Sequence, residues 1–160
     1  MKKITTGSLV AAIRKAFVCE LPLETFSDED FKELKWELPR FDDESSKKWL
    51  PLLLIHEIGR PTARNGDSLV YFLDGNMSAR DEDERRRLLP ERRRYLDRFT
   101  DDEAAAVLRW LSEAAAPKYG GLCGEDLKSA VAYWQGRLNT NPRGGPNADR
   151  KIMQRRGGRS

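Results

Sequence analysis

Phe99-Thr100-Asp101-Asp102-Glu103-Ala104-Ala105-Ala106-Val107-Leu108-Arg109-Trp110-Leu111 is the sharpest local signal in the chain. The Thr100 hydroxyl can accept from the third helical amide. Glu103 stands at that third position and can reach back to the Thr100 N–H, which makes a capping box. Phe99, one residue before the cap, can staple onto Ala104. Three acids in the first turn suit the positive end of a helix dipole. Ala104, Val107, Leu108, Leu111 and Ala115 then recur at helical spacing. The segment reads as an amphipathic helix to about Ala115, with Pro117 and Gly120-Gly121 as its stop.

Downstream, Leu127, Ala130, Val131, Trp134 and Leu138 follow one helical face, predicting a helix from about Glu125 to Leu138. Upstream lies a charge run, Arg80 to Arg98, with eight arginines and six acids. Its acids come first and its arginines after, which predicts a helix from about Asp81 to Leu89. Glu82 with Arg86, and Asp83 with Arg87, are spaced to pair across one turn. Leu69 to Leu73 is five apolar residues after the turn signal Asn65-Gly66-Asp67. Asp67 as a cap favours helix; a buried strand is the alternative. Asp74-Gly75-Asn76 closes the segment.

The most apolar stretch is Glu44 to Gly59. Pro51 requires either a helix start near Lys48 or an earlier start with a kink. Before it, Ser27 and Asp30 suit the start of a short helix from Asp28 to about Trp36, bounded by Pro39. Ser8 precedes Leu9, Val10, Ile13 and Phe17, one face of a first helix. The fold class is therefore mostly all-α, a single domain of five to seven helices over residues 1–138.

Asn139 to Ser160 differs in composition. It has six basic residues, one acid, and only Ile152 and Met153 as large apolar side chains. Such a segment cannot bury enough surface to offset ordering, so a disordered basic tail is expected over residues 139–160. Its charge is +5 (six minus one). The whole chain is +3, with 29 basic and 26 acidic residues. The body before the tail is then 23 minus 25, or −2.

Several function classes lack their residues. The 160-residue chain has one histidine and two cysteines, Cys19 and Cys123, far apart in sequence. That supplies neither a disulfide framework nor a zinc ligand set, and reduced thiols in the cytoplasm are the simplest reading. The longest apolar run, Trp49 to Ile55, is seven residues, far short of the about 20 that span a bilayer. His56-Glu57 begins like a His-Glu-x-x-His zinc motif, but Arg60 occupies the second ligand position. The plain reading is a histidine on an apolar helix with a local partner. Gly120-Gly121-Leu122-Cys123-Gly124 superficially resembles an anion cradle, yet follows no predicted strand and lacks Gly-Lys-Ser/Thr. No Gly-x-Ser-x-Gly elbow occurs. Catalytic, cofactor-binding and metal-binding residues are accordingly expected to be none, and the protein is expected not to be an enzyme. The arginine triplets 85–87 and 92–94 are diluted by nearby acids, and Tyr95 alone interrupts them, so no base-stacking platform is indicated. Trp36, Trp49, Trp110 and Trp134 read as core residues, any one of which can serve as an interface anchor.

Trp36-Glu37-Leu38-Pro39, then Lys48-Trp49-Leu50-Pro51 opening an apolar helix, then the Phe99–Leu111 helix and Ala132-Tyr133-Trp134, form an ordered pattern over about Ile13 to Leu138. This pattern resembles a family of small bacterial proteins of unknown function. Lys48-Trp49 departs from it, standing where a basic or aromatic residue followed by Tyr is expected. The resemblance implies fold and bacterial origin and no catalytic residues. The expected role is protein interaction, of an immunity or adaptor kind, with another protein as partner. Nucleic-acid association through the basic tail is the alternative, and an enzyme without a recognisable motif a further one.

Overall fold

A computed structural model describes residues 2–19, 27, 29–30, 43–59, 63–119 and 124–140. Of these, 83% are helical and none lies in a strand, so the fold is all-α. The elements are α1 (Lys2–Ala16), α2 (Asp43–Gly59), α3 (Ala63–Leu73), α4 (Glu82–Leu96), α5 (Asp101–Arg109), a π-helical segment (Trp110–Ala115), α6 (Ala116–Tyr119) and α7 (Gly124–Thr140). Because α5, the π segment and α6 are continuous, the described residues form six helical rods.

Every residue of α2 from Leu50 to Glu57 is buried. A helix apolar all round belongs in the middle of a bundle, and α2 packs there against α1 and α3. Pro51 lies inside it, so the earlier of the two expected starts is the observed one. Leu9 and Ile13 of α1 pack toward α2 and α5. Leu69, Val70, Phe72 and Leu73 of α3 are buried, and α3 packs on α7. The rod from Asp101 contributes Ala104, Val107, Trp110 and Leu111, and α7 contributes Leu127, Ala130 and Trp134. Each indole also satisfies a carbonyl: Trp110 Nε1 donates to Leu54 O at 2.9 Å and Trp134 Nε1 to Leu73 O at 2.8 Å. Leu73 ends α3, so Trp134 fills one of the four carbonyl valences a helix terminus leaves open.

The capping box at Thr100 is formed as expected. Glu103 N donates to Thr100 Oγ1 at 3.1 Å, and Thr100 N to Glu103 Oε1 at 2.8 Å. A second reciprocal pair joins Ser27 and Asp30, at 2.8 and 3.2 Å. Most of the helix expected from Asp28 to Trp36, and Trp36 itself, lie outside the described residues.

Four expectations on helix boundaries are corrected. Ser8 sits inside α1, which begins at Lys2. Asn65-Gly66-Asp67 is not a turn but part of α3. A helical Gly costs about 1 kcal/mol, less than docking the Leu69–Leu73 face returns. The charged helix runs on through Pro90 to Leu96, where the expectation was an end near Leu89. Pro117 does not stop the α5 rod, which reaches Tyr119. There the Ala116 N–H bonds to Leu111 O, five residues back. This wider turn shifts the carbonyls on which a proline ring would otherwise press. The last helix extends to Thr140; residues 141–160 of the expected tail lie outside the described residues.

Candidate functional site

Between α3 and α4 the chain makes a tight loop, residues 74–81, built around one buried carboxylate. Asp74 is 1% exposed. Its Oδ1 accepts from Asn76 N at 3.1 Å, Met77 N at 2.8 Å and Ser129 Oγ at 2.7 Å. Ser129 Oγ in turn accepts from Ser78 N at 2.9 Å. One side chain of α7 thereby ties down both ends of a five-residue turn. Burial pushes the Asp74 carboxyl above its ordinary range, and Asp126 pushes the same way. The Ser129, Met77 and Asn76 hydrogen bonds pull against them.

The turn is locally strained. Met77 is fully buried and adopts φ 52°, a left-handed conformation that residues with a Cβ seldom take. Gly75 is required by packing: a Cβ there would fall 2.6 Å from Cγ of Tyr133. The Tyr133 hydroxyl hydrogen-bonds Asp97, and desolvation together with that carboxylate raises the phenol's pKa. Asp97 directly follows α4, so Tyr133 links the 74–81 turn to the far end of the charged helix.

The arginines of the charge run close around this turn. Arg85 Nε donates to Asn76 O at 2.9 Å, and Arg93 Nε to Gly75 O at 2.8 Å. Arg93 also reaches Asn76 Oδ1 at 3.2 Å. Arg92 donates to Tyr71 O at 2.5 Å and lies 4.3 Å over the Tyr71 ring. Arg80 lies 4.6 Å from the same ring and pairs with Asp126 at 2.6 Å. Cation–π contacts of this kind contribute about 0.5–1 kcal/mol each when partly exposed. The Tyr71 hydroxyl completes the set, donating to Glu84 at 3.1 Å. At the far end of α4, Arg137 donates to Leu96 O at 2.5 Å, Asp97 O at 3.1 Å and Phe99 O.

Arg85, Arg92 and Arg93 are thus spent on backbone carbonyls within the chain. The triplets still leave Arg86, Arg87 and Arg94 exposed. With Asp83, Pro90 and Glu91 they form one continuous outward stripe, at helical spacing. Arg86 pairs with Glu82 at 3.8 Å and Arg94 with Glu91 at 3.6 Å, all four largely in solvent. Where α4 meets α3, Phe72, Leu88, Glu91, Arg92 and Tyr95 line a cleft of about 70 Å³.

His56 lies buried on α2 with its Nδ1 3.6 Å from Glu57 Oε2. Among the described residues no three His, Cys, Asp or Glu side chains converge as metal ligands. Cys19 is buried; Cys123 and Gly120–Leu122 lie outside the described residues. Trp49 is half-buried, and Trp110 and Trp134 are in the core. Among the described residues no helix is long and apolar enough to cross a membrane. The Ser129 hydroxyl, committed as donor to Asp74 and as acceptor to Ser78, is held as a structural bridge. Sequence reasoning missed Ser129, Tyr71 and Arg137. Ser129 stands about 200° from Leu127 on the helix, off the predicted face, and only its four-residue spacing from Tyr133 could have placed it inward.

Comparison with protein-family models, curated proteins and solved structures gives no match.

Proposed function

We propose that the protein is a cytoplasmic protein-interaction module of the immunity or adaptor kind, and that α4 is the element it presents to its partner. The observation that carries this reading is the division of labour among the arginines of one helix. Arg85 and Arg93 fix α4 to the 74–81 turn and Arg92 fixes it to the end of α3, while Arg86, Arg87 and Arg94 point to solvent on a single stripe. Arginine is enriched at interface hot spots because its planar fork binds carboxylates in pairs and its stem covers apolar surface. The partner that suits this stripe carries carboxylates, set against a rim of exposed salt bridges that is easily rearranged.

The test is a triple variant, Arg86→Glu, Arg87→Glu and Arg94→Glu. The full-length chain and the variant are each used to recover partners from cells of the source organism. The variant is expected to keep its melting temperature and lose the partner. Retention of the partner by the variant would overturn the assignment to α4. Capture of duplex DNA instead, weakening steeply with salt and abolished by removing residues 141–160, would favour the basic tail as the working part.

A further inference from the structure

Two ends of one segment are pinned to the body by buried side chains, while its middle has half-buried leucines but no fully buried side chain. The pin before α4 is the turn itself: Met77 fully buried, Asp74 and Ser78 both bonded to Ser129, and Arg80 paired with Asp126. The pin after α4 is Leu96 and Phe99, both buried, with Arg137 on their carbonyls and Tyr133 on Asp97. Between the pins α4 runs 15 residues, of which only Leu96 is buried. Among the described residues it meets its neighbours more sparsely than α1, α2, α3, α5 and α7 meet theirs. Pro90, in its interior, withholds the N–H that would bond Arg86 O and presses its ring on that carbonyl. Among the described residues, its polar hold is a clasp of Arg85, Arg92 and Arg93 on three carbonyls, with Tyr71 on Glu84.

We propose that α4 is a strap that melts and re-forms as a unit between residues 82 and 95 while both pins and the rest of the bundle stay folded. Segments with little buried apolar surface and solvent-facing hydrogen bonds open well before the global unit does. Here both ends of the segment are fixed, so the motion is an order–disorder transition of a tethered strap, not a hinge swing. Opening widens the cleft beside Phe72 and frees the Tyr71 ring from Arg92, which exposes aromatic surface next to the arginines. This deepens the interaction reading by giving α4 a regulated state. It rests on that reading only for its use, because the opening is measured without any partner.

The experiment is native-state amide hydrogen exchange on the full chain at low, increasing denaturant, for wild type, Pro90→Ala and Arg93→Lys. In wild type, amides of α4 are expected to exchange faster than those of α5 and α7, with little denaturant dependence. The core helices should exchange through global unfolding. Pro90→Ala restores a hydrogen bond and relieves the ring, and should slow α4 exchange roughly tenfold to a hundredfold with α5 and α7 unmoved. Arg93→Lys keeps the charge and loses the fork, and should speed α4 exchange severalfold, again alone. If α4 merges with α5 and α7 at every denaturant concentration, or if either variant shifts all three together, α4 belongs to the global unit and the proposal fails. A loss of partner binding with strap opening intact would instead count against the interaction reading.

Discussion

α4 and α5 begin alike and end up held by different physics. Each opens on a side-chain cap, Asp81 accepting from Glu84 N at 2.9 Å and Thr100 from Glu103 N at 3.1 Å. Each follows its cap with three acids, Glu82-Asp83-Glu84 and Asp101-Asp102-Glu103. Yet α5 and its π extension bury Ala104, Val107, Trp110 and Leu111, whereas α4 buries Leu96 alone. Capping chemistry places the first residue of a helix; it does not decide what the helix does next. That depends on the next ten side chains, apolar on one face in α5 and arginine-rich in α4. The first helix is fastened by area removed from water, the second by guanidinium groups on carbonyls.

Truncations to alanine in the two regions test this contrast most severely. Trp110→Ala should destabilise the protein by about 3–5 kcal/mol, since it empties a fully buried site and leaves Leu54 O without its second donor. Leu89→Ala, at a half-buried position of α4, should cost less than about 1 kcal/mol in urea denaturation. Comparable losses at both sites would mean α4 is as much a part of the core as α5.

Gly75→Ala probes the turn that anchors the strap. The added methyl meets the Tyr133 ring, and overpacking of this sort costs about 1–3 kcal/mol. The variant should melt lower and, in ultraviolet difference spectra, move the tyrosine signal. An unchanged melt would show that Tyr133 swings aside and that the turn is softer than its contacts suggest.

The caps should separate the regions more finely. Thr100→Ala removes an acceptor at the start of a core helix and should lower global stability by about 1 kcal/mol in chemical denaturation. Asp81→Ala removes an equivalent acceptor from the strap. It should leave the global midpoint nearly in place and raise exchange only within α4. Equal global effects would erase the distinction between the two helices.

The smallest expected effect is a slope. The Asp74 carboxyl is raised above its ordinary range mainly by burial. The folded state then binds the proton more tightly than the unfolded one, so this group's contribution to stability falls as pH rises from the ordinary carboxylate range toward neutrality. Asp74→Asn keeps an oxygen acceptor for Ser129, Asn76 and Met77 and abolishes the titration. Urea denaturation at a series of pH values should show wild type losing stability relative to the variant as pH rises. A gap constant with pH would mean that Asp74 titrates alike in the folded and unfolded states.

The all-α class, the start of α5 at Thr100, the start of α4 at Asp81 and the inward residues Leu9, Ile13, Ala104, Val107, Leu111, Leu127 and Trp134 were legible in the sequence. Each of these rests on chemistry within one helical turn or on a repeat of 3.6 residues, so neighbours along the chain suffice to specify it. What the tertiary structure alone decided lies where local signals were overruled or silent. Asn65-Gly66-Asp67 reads as a turn and became helix because docking the adjoining apolar face outweighs a modest propensity cost. The charged helix was expected to end near Leu89 and Pro117 was read as a stop, and the chain ran past both: the far turn of α4 is clasped by Arg92 and Arg93, and a π turn makes room before Pro117. The burial of Asp74, the bridging of Ser129 and the need for glycine at 75 join residues some 50 or more positions apart. The sorting of identical arginines into inward clasps and outward stripe spans shorter separations, 9 to 21 positions, but it too depends on how the chain folds back. Such pairings exist only after the helices have packed, because an arginine's role depends on which carbonyls the fold brings within its reach.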